Sequence, residues 1–155
     1  MSFRLSGIDP SPYASLFGLP DEALSRLGAA RCVADSASGY PCRASLEDAR
    51  VGDELLLLTH EHQPAGSPYR ASGPIFVRRD ASQAVLAPGI VPPYVRNRLI
   101  SLRAYDAAHW MVDASVHDGP DVAAELRRML ADPAVTYVHL HNARRGCFSC
   151  VAHRA

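Results

Sequence analysis

The stretch ELLLLTH, residues 54–60, constrains the fold of this chain more than any other segment. Leucine fills four consecutive positions, 55–58. Because successive side chains of a strand point to opposite faces, a strand through this stretch is apolar on both sides. Strands of that kind are buried on both faces and lie in the interior of a sheet. The sequence therefore predicts a central strand over residues 54–60.

The other periodic segments predict more strands than helices. The predicted strands cover residues 30–35, 74–79, 99–105, 109–117, 135–141 and 147–153, with 99–105 and 109–117 paired as a hairpin. A short N-terminal helix is predicted over 20–27, one helical turn near 45–49, and one long helix over 120–132. The long helix begins at Pro120 and carries an apolar stripe at helical spacing. Runs of strands with few helices favour the α+β class, with a mostly antiparallel sheet.

Length and charge limit the classes of protein to which this chain can belong. At 155 residues, it has a common size for one domain, so residues 1–155 are interpreted as a single domain. Acidic and basic residues balance at 16 each, which gives no basic surface excess and predicts no nucleic-acid partner. Every basic residue is arginine, so no lysine can serve as a Schiff base or phosphate ligand.

Targeting and cofactor signals are not found in the sequence. No apolar run approaches the roughly 20 residues of a membrane span, and the N-terminus MSFRLSGIDP has no apolar signal core. We therefore expect a cytoplasmic protein without a membrane partner, in which cysteines stay reduced. The glycine-rich phosphate motifs are missing, and no cofactor is predicted.

The segment HNARRGCFSC, residues 141–150, concentrates chemically active side chains in a predicted hairpin. With residues 142–146 as the loop, strand alternation puts His141 opposite Cys147 and His139 opposite Ser149. It also puts five apolar side chains on the opposite face: Val138, Leu140, Phe148, Cys150 and Ala152. The two cysteines then point to opposite faces, which argues against a metal knuckle within CFSC.

The predicted pairing suggests an enzyme. A histidine beside a cysteine favours the thiolate, so Cys147 is a candidate nucleophile or redox thiol, with His141 or His139 as the base. Arg144 and Arg145 lie in the connecting loop and can bind a carboxylate or phosphate. Solvated arginines at a hairpin tip and half-exposed strand histidines are the structural alternative.

A second group of residues suggests a binding site for an anion. The predicted loop 61–73 contains Tyr69, Arg70 and Ser72, and long loops within compact domains are often functional. The turn GYPCR, residues 39–43, adds Arg43 next to Cys42.

Three functional hypotheses stay open on these residues. The first is a small-molecule or anion-binding domain, with a pocket formed by the 61–73 loop, the 39–43 turn and the 142–146 hairpin. The second is the Cys147 enzyme, and the third is a zinc-binding protein that uses Cys42, Cys147 and nearby histidines. A small anionic ligand is the expected partner, and a homo-oligomer is compatible with the sequence.

Three long segments together resemble one protein family. GYPCRASLEDARVGDELLLL, SPYRASGPIFVR and YVHLHNARRGCF, in that order, resemble an uncharacterised family of small bacterial proteins catalogued only as a domain of unknown function. The resemblance covers nearly the whole chain, from FRLSGI to HRA. It marks residues 41–43, 68–77 and 139–148 as signature segments, from which Cys150 departs, and implies no activity, substrate or cofactor.

Overall fold

The computed structural model describes residues 1–155 and contains ten strands and few helices. The strands are β1 (Phe3–Ser6), β2 (Ala30–Val33), β3 (Pro41–Cys42), β4 (Glu47–Asp48), β5 (Glu54–Gln63), β6 (Ala71–Arg78), β7 (Leu99–Tyr105), β8 (Met111–Asp118), β9 (Tyr137–Asn142) and β10 (Phe148–Arg154). The α-helices are α1 (Asp21–Arg26), α2 (Pro93–Arg96) and α3 (Val122–Ala131), with 3-10 helices at Ser11–Gly18 and Gly119–Asp121.

The strands form two five-stranded sheets rather than the one sheet that was predicted. Sheet A has the order β1-β10-β9-β7-β8, and sheet B has the order β2-β5-β6-β3-β4. Every pairing is antiparallel except that of β3 with β6. The α+β class is therefore right in its broad form. The hydrophobic pattern identifies strands but does not say which of them share a sheet.

The leucine-rich strand β5 lies inside sheet B, between β2 and β6, as its apolar faces predicted. Leu55 and Leu56 point to opposite faces and are both fully buried. The strand is longer than predicted because pairing with β6 resumes beyond a bulge, at Gln63 opposite Ala71. The predicted 61–73 loop therefore shrinks to residues 64–70.

Helix α3 covers one face of sheet A. Its apolar stripe is buried as predicted: Val122, Leu126, Met129 and Leu130. The helix has ten residues and not the thirteen of the predicted range, because residues 119–121 form a 3-10 turn and Asp132 is already extended. The short N-terminal helix is confirmed as α1, and Gly28 follows it with a φ of 72°.

The predicted helical turn near residues 45–49 is wrong. Leu46 has a φ of 56°, in the left-handed region, so the chain reverses sharply there. Glu47 then pairs with Cys42, and Asp48 with Pro41, as strand β4. Serine and aspartate three apart are common to helix starts and to tight turns, and the sequence spacing did not separate the two.

The two largest of three apolar clusters support the sheets. The larger one lies between sheet A and α3 and has 17 buried residues, whereas the smaller one lies between sheet B, α1 and the first 3-10 helix. The face of sheet A that points away from α3 meets the end of β5, and this junction carries polar and aromatic side chains. None of the helices is long and apolar enough to cross a membrane.

Candidate functional site

A cavity of about 420 Å³ lies where sheet A meets the end of β5. Five of the seven histidines of the chain line it. Its full lining is Gly7, Ile8, His60, His62, Gln63, Pro64, Ala65, His109, Tyr137, His139, Phe148, Val151 and His153. We call this space the histidine cavity.

Strand alternation brings the imidazoles together. His60 and His62 are two residues apart on β5, as are His139 and His141 on β9, so each pair shares a strand face. The residue between the second pair, Leu140, is buried in the core under α3. The two histidine-x-histidine motifs thus face each other across the junction of the sheets.

The rings form a continuous aromatic cluster. The centroid of His62 lies 5.0 Å from that of His141 and 6.1 Å from that of His139. Phe148 stacks on His62 with a centroid distance of 5.3 Å and an interplanar angle of 8°. Such contacts order flat side chains without giving their ring nitrogens hydrogen-bond partners.

Three imidazole nitrogens of this cluster are buried without a partner: His62 Nδ1, His139 Nδ1 and His141 Nε2. The tautomer of His141 follows from its other nitrogen, which lies 2.9 Å from the carbonyl oxygen of Gly146. Because a carbonyl only accepts, Nδ1 donates, and the neutral ring leaves Nε2 as an acceptor without a donor. A buried unpaired polar atom costs about 1–3 kcal/mol, so this cluster is not arranged for stability alone.

Burial keeps these imidazoles uncharged. It lowers the pKa of His139 to about 3 and that of His141 to about 4, and the neighbouring histidines and Arg103 act in the same direction. Burial also lowers the pKa values of His60, His62 and His153. The imidazoles of His60, His62, His139 and His153 in the cavity wall are therefore neutral at pH 7.

Tyrosine hydroxyls contact two of the histidines that line the cavity. Gln63 Nε2 donates to the Tyr137 hydroxyl at 2.8 Å, and that hydroxyl lies 2.8 Å from His109 Nδ1. The Tyr13 hydroxyl contacts His60 Nδ1 at 2.6 Å. His109 has a φ of 65°, a conformation that costs energy for a non-glycine residue and is often found at functional sites.

The structure brings Arg43 into contact with Cys147. Arg43 Nη2 donates to Cys147 Sγ at 3.0 Å, Nε to the Phe148 carbonyl at 2.7 Å and Nη1 to the Pro41 carbonyl at 2.7 Å. The side chain is buried, with 2% of its surface exposed. Arg43 thus joins the start of sheet B's β3 to the start of sheet A's β10.

The predicted pairing of His141 with Cys147 is wrong. Strand β10 begins at Phe148, which pairs with His141, and a bulge before Cys150 places Val151 opposite His139. The extra residue moves Phe148 to the histidine face, whereas Val138, Leu140, Cys150 and Ala152 keep the apolar face that was predicted. The enzymatic roles of Cys147, His141 and His139 stay predictions, and the pairing of His141 with Cys147 no longer supports them.

The remaining predicted ligand residues lie apart from one another. Arg70 forms an exposed ion pair with Glu61 at 3.1 Å, and Tyr69 packs edge-on against Tyr105 and Trp110. Ser72 is exposed on β6, and Arg144 and Arg145 are exposed in the 142–146 turn.

The three segments that were expected to form one pocket do not line the histidine cavity together. Of them, only residues 62–65 reach it. A second cavity, lined by residues 9–11, 14, 17 and 79–83, includes none of the predicted ligand residues either. Their binding roles stay predictions.

The zinc hypothesis finds no ligand set in this structure. No three histidine, cysteine, aspartate or glutamate side chains are grouped so that they can hold a metal ion. Cys42 Sγ accepts from the Arg78 backbone N–H at 3.3 Å, Cys147 contacts Arg43, and all four cysteines are free.

Sequence reasoning missed most of the cavity lining. Strand alternation puts His60 and His62 on one face and Tyr137, His139 and His141 on another, but it does not show that these two faces meet. The signal was the repetition of histidine-x-histidine, once at the end of the predicted strand 54–60 and once within the predicted strand 135–141, with His153 on a third strand. His109 gave no signal, since it reaches the cavity from a turn.

Comparison with known proteins identifies a family but no function. A family model described as "Protein of unknown function (DUF1203)" matches residues 39–154. No curated protein and no solved structure matches the chain significantly.

Proposed function

This chain belongs to the DUF1203 family, and we propose that it is a small-molecule-binding domain whose site is the histidine cavity. The volume of about 420 Å³ falls within the range of small-molecule sites. The observation that carries the proposal is the pair of buried imidazole nitrogens without partners on the lining residues His62 and His139. His141, outside the lining, adds a third such nitrogen in the same ring cluster. Such groups in a folded protein call for a functional explanation or a bound species.

The chemistry of the lining favours an uncharged ligand. A neutral imidazole offers one donor and one acceptor, and Tyr137 and Gln63 add further polar groups. Phe148 offers a flat apolar face beside them. The lining contains no arginine or lysine, and burial opposes protonation of His139 at neutral pH, so the cavity offers an anion no positive charge there. We therefore propose a small flat molecule that both donates and accepts hydrogen bonds, such as a heteroaromatic ring.

Thermal unfolding with a panel of small probes tests the proposal. Adenine and uracil represent uncharged heteroaromatic compounds, and benzoate represents a flat anion. We expect the heteroaromatic probes to raise the melting temperature and to shift the imidazole proton signals of the cavity histidines, because a ligand that binds the folded state stabilises it. Benzoate should have a smaller effect.

Two variants locate the binding. His139→Phe keeps a flat ring but removes both nitrogens from the cavity wall, so it should abolish the stabilisation by the probes. His117→Phe is the control, because His117 lies on β8 outside the cavity lining. Equal losses in both variants, stabilisation by benzoate alone, or no effect of either heteroaromatic probe would contradict the proposal.

Anion binding by the exposed arginines is a second proposal. Arg144 and Arg145 make no ion pairs, which leaves their charges available, but they do not line either cavity described above. We also propose a bacterial, cytoplasmic setting. The four free cysteines are compatible with a reducing compartment, and the bacterial origin rests on the resemblance to the family.

A further inference from the structure

Arg43 is a buried cation without an anionic partner. A guanidinium stays charged in proteins, and only 2% of this residue is exposed. No aspartate or glutamate oxygen lies within ion-pair distance of it. Its acceptors are two backbone carbonyls and the sulfur of Cys147. Because an uncompensated buried charge is costly, the one acceptor able to become an anion is the natural partner of this charge.

Asn142 adds a second polar group at the same sulfur. Its Nδ2 lies 4.0 Å from Cys147 Sγ, and its side chain is 9% exposed. Its Oδ1 is buried and has no hydrogen-bond partner. The thiol is thus near both a buried guanidinium and a buried amide whose oxygen has no partner, whereas Cys147 itself is partly exposed. This combination of nearby donors and solvent access is characteristic of reactive cysteines.

The turn next to Cys147 is positively charged on its exposed side. Arg144 and Arg145 precede the thiol by three and two residues, are exposed, and form no ion pair. Exposed charges of one sign raise the local concentration of small molecules of the opposite sign, and salt screens the effect. Reagents with carboxylates should therefore reach this sulfur more readily than uncharged ones.

We infer that Cys147 is a reactive thiol that forms mixed disulfides with small, negatively charged disulfides, and that Arg43 stabilises the sulfur anion during the exchange. The thiol proton goes to solvent, and the sulfur attacks one sulfur of the incoming disulfide. The old sulfur–sulfur bond breaks, a new one joins Cys147 to half of the reagent, and the other half leaves as a thiolate with the electron pair. No other oxidant is needed. This site is independent of the histidine cavity, whose lining does not include Cys147.

The experiment compares two cysteines of the same folded protein. Cys32 is also partly exposed, but no arginine donates to its sulfur, whose hydrogen-bond contact is with the Ala30 carbonyl at 3.9 Å. The probes are dithiobis(nitrobenzoate), which carries two carboxylates, and dithiodipyridine, which is uncharged at neutral pH. Release of the coloured thiolate gives the rate, and peptide mass spectrometry assigns the modified cysteine. We expect Cys147 to react with the charged probe roughly tenfold faster than Cys32.

Variants separate the two causes of the reactivity. Cys147→Ser should remove the fast phase and Cys32→Ser should keep it. The exposed pair Arg144→Gln with Arg145→Gln should slow the reaction with dithiobis(nitrobenzoate) several-fold and leave that with dithiodipyridine nearly unchanged. If the Arg43→Met variant folds, its Cys147 should react more slowly with both probes.

Two results would overturn the inference. One is a Cys147 that reacts with the charged probe no faster than Cys32. The other is an unchanged ratio of the rates with dithiobis(nitrobenzoate) and dithiodipyridine, both when Arg144 and Arg145 are replaced by glutamine and when salt is added. Neither result depends on whether Arg43→Met folds, and neither bears on ligand binding in the histidine cavity.

Discussion

At the scale of single residues, Arg43 links the two sheets through its side chain, and no motif in the sequence predicts this link. It bonds to Pro41 within its own strand region and to Cys147 and Phe148 more than a hundred positions away in the chain. Two of its three hydrogen bonds therefore join sheet B to sheet A. The sequence indicated Arg43 as a polar residue beside a cysteine, but a contact at this separation leaves no local pattern.

Replacing Arg43 with alanine tests this role. The change leaves two buried carbonyls and a thiol without their donor, so Arg43→Ala should lower the free energy of unfolding by about 3–5 kcal/mol. Urea unfolding followed by circular dichroism measures the loss. Arg144→Ala is the matched control, because Arg144 is exposed and makes no hydrogen bond, and it should stay within about 0.5 kcal/mol of wild type. Similar losses in both variants would show that Arg43 does not hold the sheets together.

At the scale of elements, local patterns predicted what depends on local chemistry. The interior strand β5, the β7–β8 hairpin and helix α3 follow from alternation, helical spacing and a proline start. The register of β9 with β10 did not follow, because the bulge before Cys150 inserts one residue that hydrophobicity alone does not reveal. The same bulge puts Phe148 against His62, so the error in register and the missed part of the site have one cause.

The connection after β1 depends on a glycine. Gly7 N donates to the Ala84 carbonyl at 2.9 Å, and a Cβ at this position would lie 2.1 Å from the Ala44 carbonyl oxygen. Since that atom belongs to the backbone, it cannot move aside without shifting the chain between β3 and β4. The close approach, and not an unusual φ, is the reason for glycine here.

Gly7→Ala should therefore destabilise the protein by about 2 kcal/mol or more, as overpacking against fixed atoms does. For a chain of this size, thermal unfolding should show a melting temperature lower by several degrees. Gly73→Ala is the control: Gly73 lies in β6 with nothing within 4 Å of an added Cβ, so the change should be neutral or slightly stabilising. A Gly7→Ala variant that melts at the wild-type temperature would contradict the close approach.

At the scale of the whole molecule, the histidine cavity exists only because two sheets meet. Its lining comes from the chain after β1, from β5, from the turn before β8, and from β9 and β10. Strands β5, β9 and β10 can each be predicted from their own sequence, and alternation also gives the faces that the histidines of β5 and β9 occupy. The order of ten strands in two sheets decides which faces meet, and the sequence of a single segment does not predict that order.

Collecting neutral histidines at that junction should make the whole fold sensitive to acid. The pKa of His139 falls from 6.5 to about 3, and that of His141 to about 4, because both are buried. Between the folded and unfolded pKa values, the unfolded chain binds protons that the folded chain does not. Stability is therefore lost as the pH falls below about 6.5, and each such histidine contributes a slope of about 1.4 kcal/mol per pH unit.

Unfolding free energies measured by urea between pH 6.5 and pH 5 check this expectation, since carboxylates contribute little in that window. His139→Gln removes one buried titrating group. The number of protons taken up on unfolding should fall by about one, so the free energy of unfolding should depend on pH less steeply than in wild type. Glu54→Gln serves as the control. Hydrogen bonds from Arg79 and Arg31 hold the pKa of Glu54 below its usual 4.5, so this variant should change the curve only at lower pH. Parallel curves for His139→Gln and wild type between pH 6.5 and pH 5 would mean that His139 gains its proton in the folded state, and that the cavity wall is charged where we infer it to be neutral.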